Sequence, residues 1–199
     1  MVMLAFALGA CAALAILWLR PWIDCVADHV PPAGHAVADA FLLTALPEEL
    51  VKLLVVLPIL LHHETDEPMD GVVYGAATAL GFAAVENTLY LQMTGAVCMA
   101  LERGFTATLL HVGCTGCMGF CIATAKFVRR RRRWLLTAAG PFLAVGLHGA
   151  YDLLMLGCEG LGLVALLVVL PVLLGILSVK VRWAQRPLTP RTWRVRWRA

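Results

Sequence analysis

Six times along this 199-residue chain the sequence runs apolar for long enough to cross a bilayer, and that recurrence limits the fold more than any single motif does. A transmembrane helix needs about 20 predominantly apolar residues. Within lipid, only helices and closed barrels satisfy their own backbone polar groups. The stretches are Met1–Leu19, about Ala36–Leu61, Gly71–Val97, Gly104–Phe127, Trp134–Gly157 and Leu161–Val181. Hydrophobic residues make up 61% of the chain and charged residues 15%, which excludes a soluble domain. The expected fold is an all-α polytopic membrane protein with about six transmembrane helices. It is read as one integral membrane domain over residues 1–199, with a motif-bearing core at about 36–157 and a basic tail at 180–199.

The first stretch lacks the basic flank of a signal peptide and is longer than the usual apolar region of one. It is expected to remain as the first transmembrane helix. Pro47 and Pro171 should loosen or bend the second and sixth helices. The third helix carries small residues at four-residue spacing, Gly71, Gly75, Ala79 and Ala83, which permits close helix–helix approach.

Positive charge is concentrated at Arg129–Arg133 and in the tail. An Arg run between two apolar stretches reads as an orientation signal, not as a nucleic-acid site. With six crossings, one side of the membrane collects thirteen Lys and Arg and the other only Arg20 and Arg103. The positive-inside rule then places both termini in the cytoplasm of a multi-pass plasma (inner) membrane protein.

Inside the apolar stretches the ionisable residues are few. The second helix holds Glu48, Glu49 and Lys52, the third Glu86, the fourth His111, and the fifth His148 and Asp152. Each charge at a bilayer centre costs about 2.5–3.5 kcal/mol on insertion scales, so these groups need partners or a function. Glu48 and Glu49 lie four and three residues before Lys52, within reach on a helix. Counting from the outer helix ends at about 1.5 Å per residue, the groups fall at overlapping depths of roughly 8–18 Å. Four helices therefore bring acid–base groups to one level in the outer half of the membrane, a polar cavity among helices two to five. Phe82 lies one turn before Glu86 and can wall its carboxylate; His148 and Asp152 share a face. A purely structural ion cluster and a proton-coupled transporter use the same residue types.

Glu48-Glu49-x-x-Lys52, Phe82-x-x-x-Glu86-Asn87, His111 and His148-x-x-x-Asp152 resemble, in that order, the motifs of PrsW-type intramembrane proteases. Asp70–Gly75 and Gly81-Phe82 are similar as well, and the resemblance covers about Leu46–Leu154. The related CAAX-prenyl-protease and bacteriocin-processing proteins have His where this chain has Glu86, and Arg after the Glu pair where it has Lys52. The resemblance implies an endopeptidase cutting membrane-anchored substrates, typically anti-sigma-factor-like regulators, near the extracytoplasmic side. A CAAX-type prenyl-protein protease is the nearest enzymatic alternative.

Amide hydrolysis needs an activated water, a proton for the leaving amine and stabilisation of the oxyanion. Glu48, Glu49, Glu86 and His148 are the expected catalytic groups, with Lys52, Phe82 and Asn87 in support. Two His with carboxylates suit Zn²⁺, and His111, His148, Glu86 and Asp152 are the expected ligands, with Glu48 as general base. A metal-free alternative has Glu48 and Glu86 share the water while His148 and Asp152 stabilise the oxyanion. Cys114 and Cys117 form a C-x-x-C within an apolar helix, where packing is the better reading than redox chemistry. Cys25, Cys98 and Cys158 fall near one membrane face, where a disulfide is chemically open.

Overall fold

The computed structural model describes residues 1–95, 97–157 and 162–184, which are helical with short connections and contain no strand. Six principal helices follow in order: α1 (Val2–Ala27), α2 (Leu46–Leu61), α3 (Pro68–Thr94), α4 (Val97–Ala125), α5 (Arg130–Asp152) and α6 (Leu170–Ala184). By length and apolarity, Val2–Ala27, Pro68–Thr94, Gly104–Ala125 and Ala165–Ala184 can cross a membrane, which makes four such helices among the described residues where the sequence suggested six. The other two principal helices are α2, which is 16 residues long and carries the three charges of the Glu-Glu-x-x-Lys motif, and α5, whose hydropathy the Arg run lowers.

Two prolines mark departures from α-helical winding. A π-helical segment, Asp39–Ala45, leads into α2 and ends two residues before Pro47. A second, Ala165–Val169, ends two residues before Pro171 in α6. Proline has no N–H to give and its ring crowds the carbonyl four residues back, so the preceding turn widens. A third π segment, Leu153–Gly157, continues α5 and contains no proline. Helix α3 starts at a capping box, in which Asp70 accepts from the Glu67 amide, and stops at Gly95 with φ +63°.

Helix α3 is the central element. It packs against α1 on one side and α4 on the other, and α5 and α6 pack on α4. Close approach is built from glycine. A Cβ on Gly81 would stand 1.9 Å from the Phe6 carbonyl oxygen of α1, and one on Gly75 would stand 2.4 Å from the Thr115 oxygen of α4. Neither helix pair could sit so close with a larger residue at those positions. Cys114 and Cys117 are free thiols packed into the same core, beside Leu110 and Met118. The side chains of Cys98 and Cys158, and the tail beyond residue 184, lie outside the described residues.

At the far end of the bundle the α2–α3 and α4–α5 connections meet. The Lys126 ammonium donates to the carbonyls of Leu60, His62 and Thr65 at 3.2, 2.8 and 2.7 Å. Burial lowers the pKa of this ammonium, and Asp70 and Asp66 oppose that shift. The outer surface is strongly apolar: Phe105, Phe142 and Trp18 are 70–80% exposed, as expected of side chains that face lipid.

Candidate active site

The charged residues of α2 are buried among α3, α4 and α5. Lys52 is fully buried, and Glu48, Glu49, His111 and His148 are each under 10% exposed. Glu49 is the hub. It accepts from Lys52 Nζ at 2.9 Å, from Thr115 Oγ1 at 3.1 Å and from His148 Nδ1 at 3.0 Å. One carboxylate thus ties α2 to α4 and α5. Lys52 also reaches Glu48 at 3.5 Å and lies 3.9 Å above the Phe82 ring.

The two imidazoles meet edge to face, with ring centroids 5.0 Å apart. Lys52 Nζ stands 2.8 Å from His111 Nδ1. An ammonium only donates, so Nδ1 accepts and the ring proton sits on Nε2, which donates to Glu86 Oε2 at 2.8 Å. His148 is held the other way round. Its Nδ1–H faces Glu49, and its Nε2 lies 3.2 Å from Asp152 and 3.9 Å from Glu48. Four carboxylates therefore share the space with one ammonium, a surplus of negative charge that a cation or an imidazolium can balance.

Glu48, Glu86, His111, His148 and Asp152 line a cavity of about 320 Å³, walled further by Tyr90, Tyr151 and Leu166. Thr44 and Asp152 also line a second, more polar cavity of about 420 Å³, with His35 and Asp39 on its wall. The chemistry is therefore next to a polar space that begins at the loop before α2.

Among the described residues, Glu48, His111 and His148 bring one ligand atom each within 4.8 Å of one another. Two imidazoles and a carboxylate at that reach suit a divalent ion in donor type and number. Glu86 and Asp152, expected from the sequence as ligands, each sit against a single imidazole. One contact works against simple ligation: the ammonium at His111 Nδ1 favours the tautomer whose Nε2 carries hydrogen.

Phe82 touches Lys52 and the edge of the His111 ring, at 5.3 Å between centroids. Asn87 donates to Thr108 Oγ1 at 3.1 Å and so links α3 to α4 outside the charged cluster. Sequence reasoning missed Thr115. Its signal was its position four residues after His111, which puts both on one face of α4. Thr44, Tyr90 and Tyr151 had no comparable signal. A second His-rich group, His62, His63 and Glu64, lies in the α2–α3 connection, with His63 and Glu64 exposed.

A family model described as "PrsW family intramembrane metalloprotease" matches residues 1–176. Protease PrsW of Geobacillus kaustophilus is 44% identical over 128 residues, covering 63% of this chain and 55% of that protein. Protease PrsW of Bacillus subtilis is 34% identical over 163 residues, covering 78% and 69%. That of Shouchella clausii is 32% identical over 156 residues, covering 78% and 70%. The chain thus spans between about half and somewhat over two thirds of the length of these relatives. No solved structure matches it. The match over nearly the whole described chain joins motif order to site geometry: the protein is a multi-pass membrane protein that belongs to the PrsW family.

Proposed function

We propose that this chain is an intramembrane endopeptidase that hydrolyses membrane-anchored proteins at the cavity formed by α2–α5. The observation that carries the reading is the convergence of Glu48, His111 and His148 from three helices within 4.8 Å, inside a cavity large enough for a peptide segment. Family membership supports hydrolysis as the chemistry. By the family resemblance, the substrates are regulators of the anti-sigma-factor type, cut near the extracytoplasmic side; by the positive-inside rule, both termini lie in the cytoplasm and the protein in the plasma (inner) membrane.

Glu48, His111 and His148 are the residues that would hold a Zn²⁺. When bound, such an ion supplies Lewis acidity, making water a stronger acid and polarising the scissile carbonyl. Glu86 lines the same cavity and takes the proton of the attacking water at a carboxylate oxygen. Glu49 orients His148 through Nδ1, as a carboxylate behind an imidazole commonly does. The polar cavity beside Thr44 and Asp152 gives water a route that avoids lipid.

A second reading rests on the ammonium at His111 Nδ1. It holds the proton on Nε2 without any metal, leaving Glu48 and Glu86 to share the water while His148, held at Nδ1 by Glu49 and with Asp152 beside its Nε2, donates to the oxyanion through Nε2. Metal analysis of purified protein, paired with a membrane-anchored reporter substrate, decides between them. The zinc reading expects one Zn²⁺ per chain, lost in His111→Ala, and cleavage sensitive to a strong chelator. A metal-free preparation with full chelator-resistant cleavage selects the second reading. Cleavage that survives Glu48→Gln would remove both.

A further inference from the structure

The end of the bundle opposite the charged cluster carries a groove that the protease reading does not use. It lies between α4, the start of α5 and the end of α6, measures about 450 Å³, and is walled by Phe120, Leu135, Val179 and Trp183. Arg132 and Lys180 are the charged residues on its wall, and both are cationic. Among the described residues, neither is paired with a carboxylate. Lys180 Nζ lies 4.8 Å above the Phe120 ring and 3.3 Å from Cys121 Sγ, and Trp183 meets Phe120 edge to face at 5.7 Å. The ammonium is thus held over the apolar floor by an aromatic ring and a thiol, with its charge uncompensated.

Position adds a second constraint. Phe120 is five residues from the end of α4, and Lys180 four from the end of α6, so both lie about 6–8 Å inside their helix ends at 1.5 Å per residue. Arg132 is in the first turn of α5. Arg132 and Lys180 each lie nearer the helix end than Leu135 and Val179 on the same helices, which matches the order of a phospholipid, phosphate outermost and acyl chain below. A groove open only to water would leave this apolar wall exposed; a peptide partner would leave both cations to be paired by chance.

We propose that this groove is a binding site for one anionic phospholipid, its phosphate between Arg132 and Lys180 and an acyl chain along Leu135 and Val179. Basic pockets between transmembrane helices recognise anionic head groups through this combination. The site is separate from the charged cluster and does not depend on the protease reading.

Native mass spectrometry of the full chain in an uncharged detergent tests it, with phosphatidylglycerol and phosphatidylcholine as probes. The wild type should retain one phosphatidylglycerol in preference to phosphatidylcholine. At about 1 kcal/mol per cation near the lipid surface, removing both in Arg132→Gln/Lys180→Gln should weaken retention roughly 30-fold. A triple variant, Arg129→Gln/Arg130→Gln/Arg131→Gln, removes more charge from the same run and should retain the lipid. Equal loss in the two variants would reduce the effect to net charge and overturn the proposal, as would equal binding of phosphatidylcholine. Displacement by millimolar inorganic phosphate would overturn it in favour of a simple anion site. If the double variant fails to fold, Val179→Trp decides: it fills the groove while keeping both cations, and unchanged lipid retention would overturn the proposal.

Discussion

Glu48 and Glu49 are neighbours in sequence with different tasks. Glu49 has three donors from three helices and is 1% exposed, so its loss leaves Lys52 buried with a weakened partner set. Breaking a buried pair by removing one partner costs about 3–5 kcal/mol. Glu49→Gln is therefore expected to lower the thermal unfolding temperature strongly in detergent, whatever it does to cleavage. Glu48 makes longer contacts, to Lys52 at 3.5 Å and to His148 at 3.9 Å, and faces the cavity. Glu48→Gln is expected to disturb unfolding less than Glu49→Gln and to reduce cleavage by about 10²–10⁴-fold, since it removes a metal ligand in the zinc reading and one of the two carboxylates that hold the water in the metal-free one. If the two variants destabilise the protein equally, the division of labour proposed here fails.

Helix packing sets where these side chains meet. The Thr115 bond to Glu49 exists because α4 approaches α3 across Gly75, where a Cβ would meet the Thr115 carbonyl oxygen at 2.4 Å. Gly75→Val is expected to separate the two helices and cost about 1–3 kcal/mol through overpacking, read as a lower unfolding midpoint. It should also weaken cleavage, because Thr115 and His111 ride on the displaced helix. Near-normal stability in Gly75→Val would mean that the contact is softer than the geometry indicates. The same helices show what the sequence could and could not disclose. Residue counting along a helix gives height, and it placed Glu48, Glu86, His111 and His148 at one level. It does not give rotation about the axis, which decides that Phe82 turns toward Lys52 and His111. Nor does it give winding: Pro47 signalled a loosened helix, but not that the seven residues Asp39–Ala45 would become π-helical. Thr115 was visible only as a spacing, because a threonine in a membrane helix carries no charge to mark it.

At the scale of the molecule, the connection between α2 and α3 and the Arg run that opens α5 lie at one end, where Lys126, just before that run, bonds the connection. The positive-inside rule predicts that this end faces the cytoplasm. In a background without native thiols, Arg131→Cys is expected to resist an impermeant thiol reagent in intact cells and to react once the membrane is opened. Labelling in intact cells would invert the orientation and place the proposed cleavage on the other side. The count of membrane crossings is where composition and structure diverge most. The three residues that make α2 chemically useful are also the only charges in that 16-residue helix.

The Glu49–Lys52 pair is also a matter of timing. Both residues belong to one turn of α2, and their contact at 2.9 Å needs no other helix. During synthesis, α2 emerges before the residues of α4 and α5 that later surround it. An intrahelical pair lets that segment partition into lipid with two of its three charges already neutralised, instead of waiting unpaired for His111, Thr115 and His148. Separating the partners, for example by moving the lysine to the opposite face of α2, should therefore be felt first as inefficient membrane insertion, upstream of any effect on the folded protein.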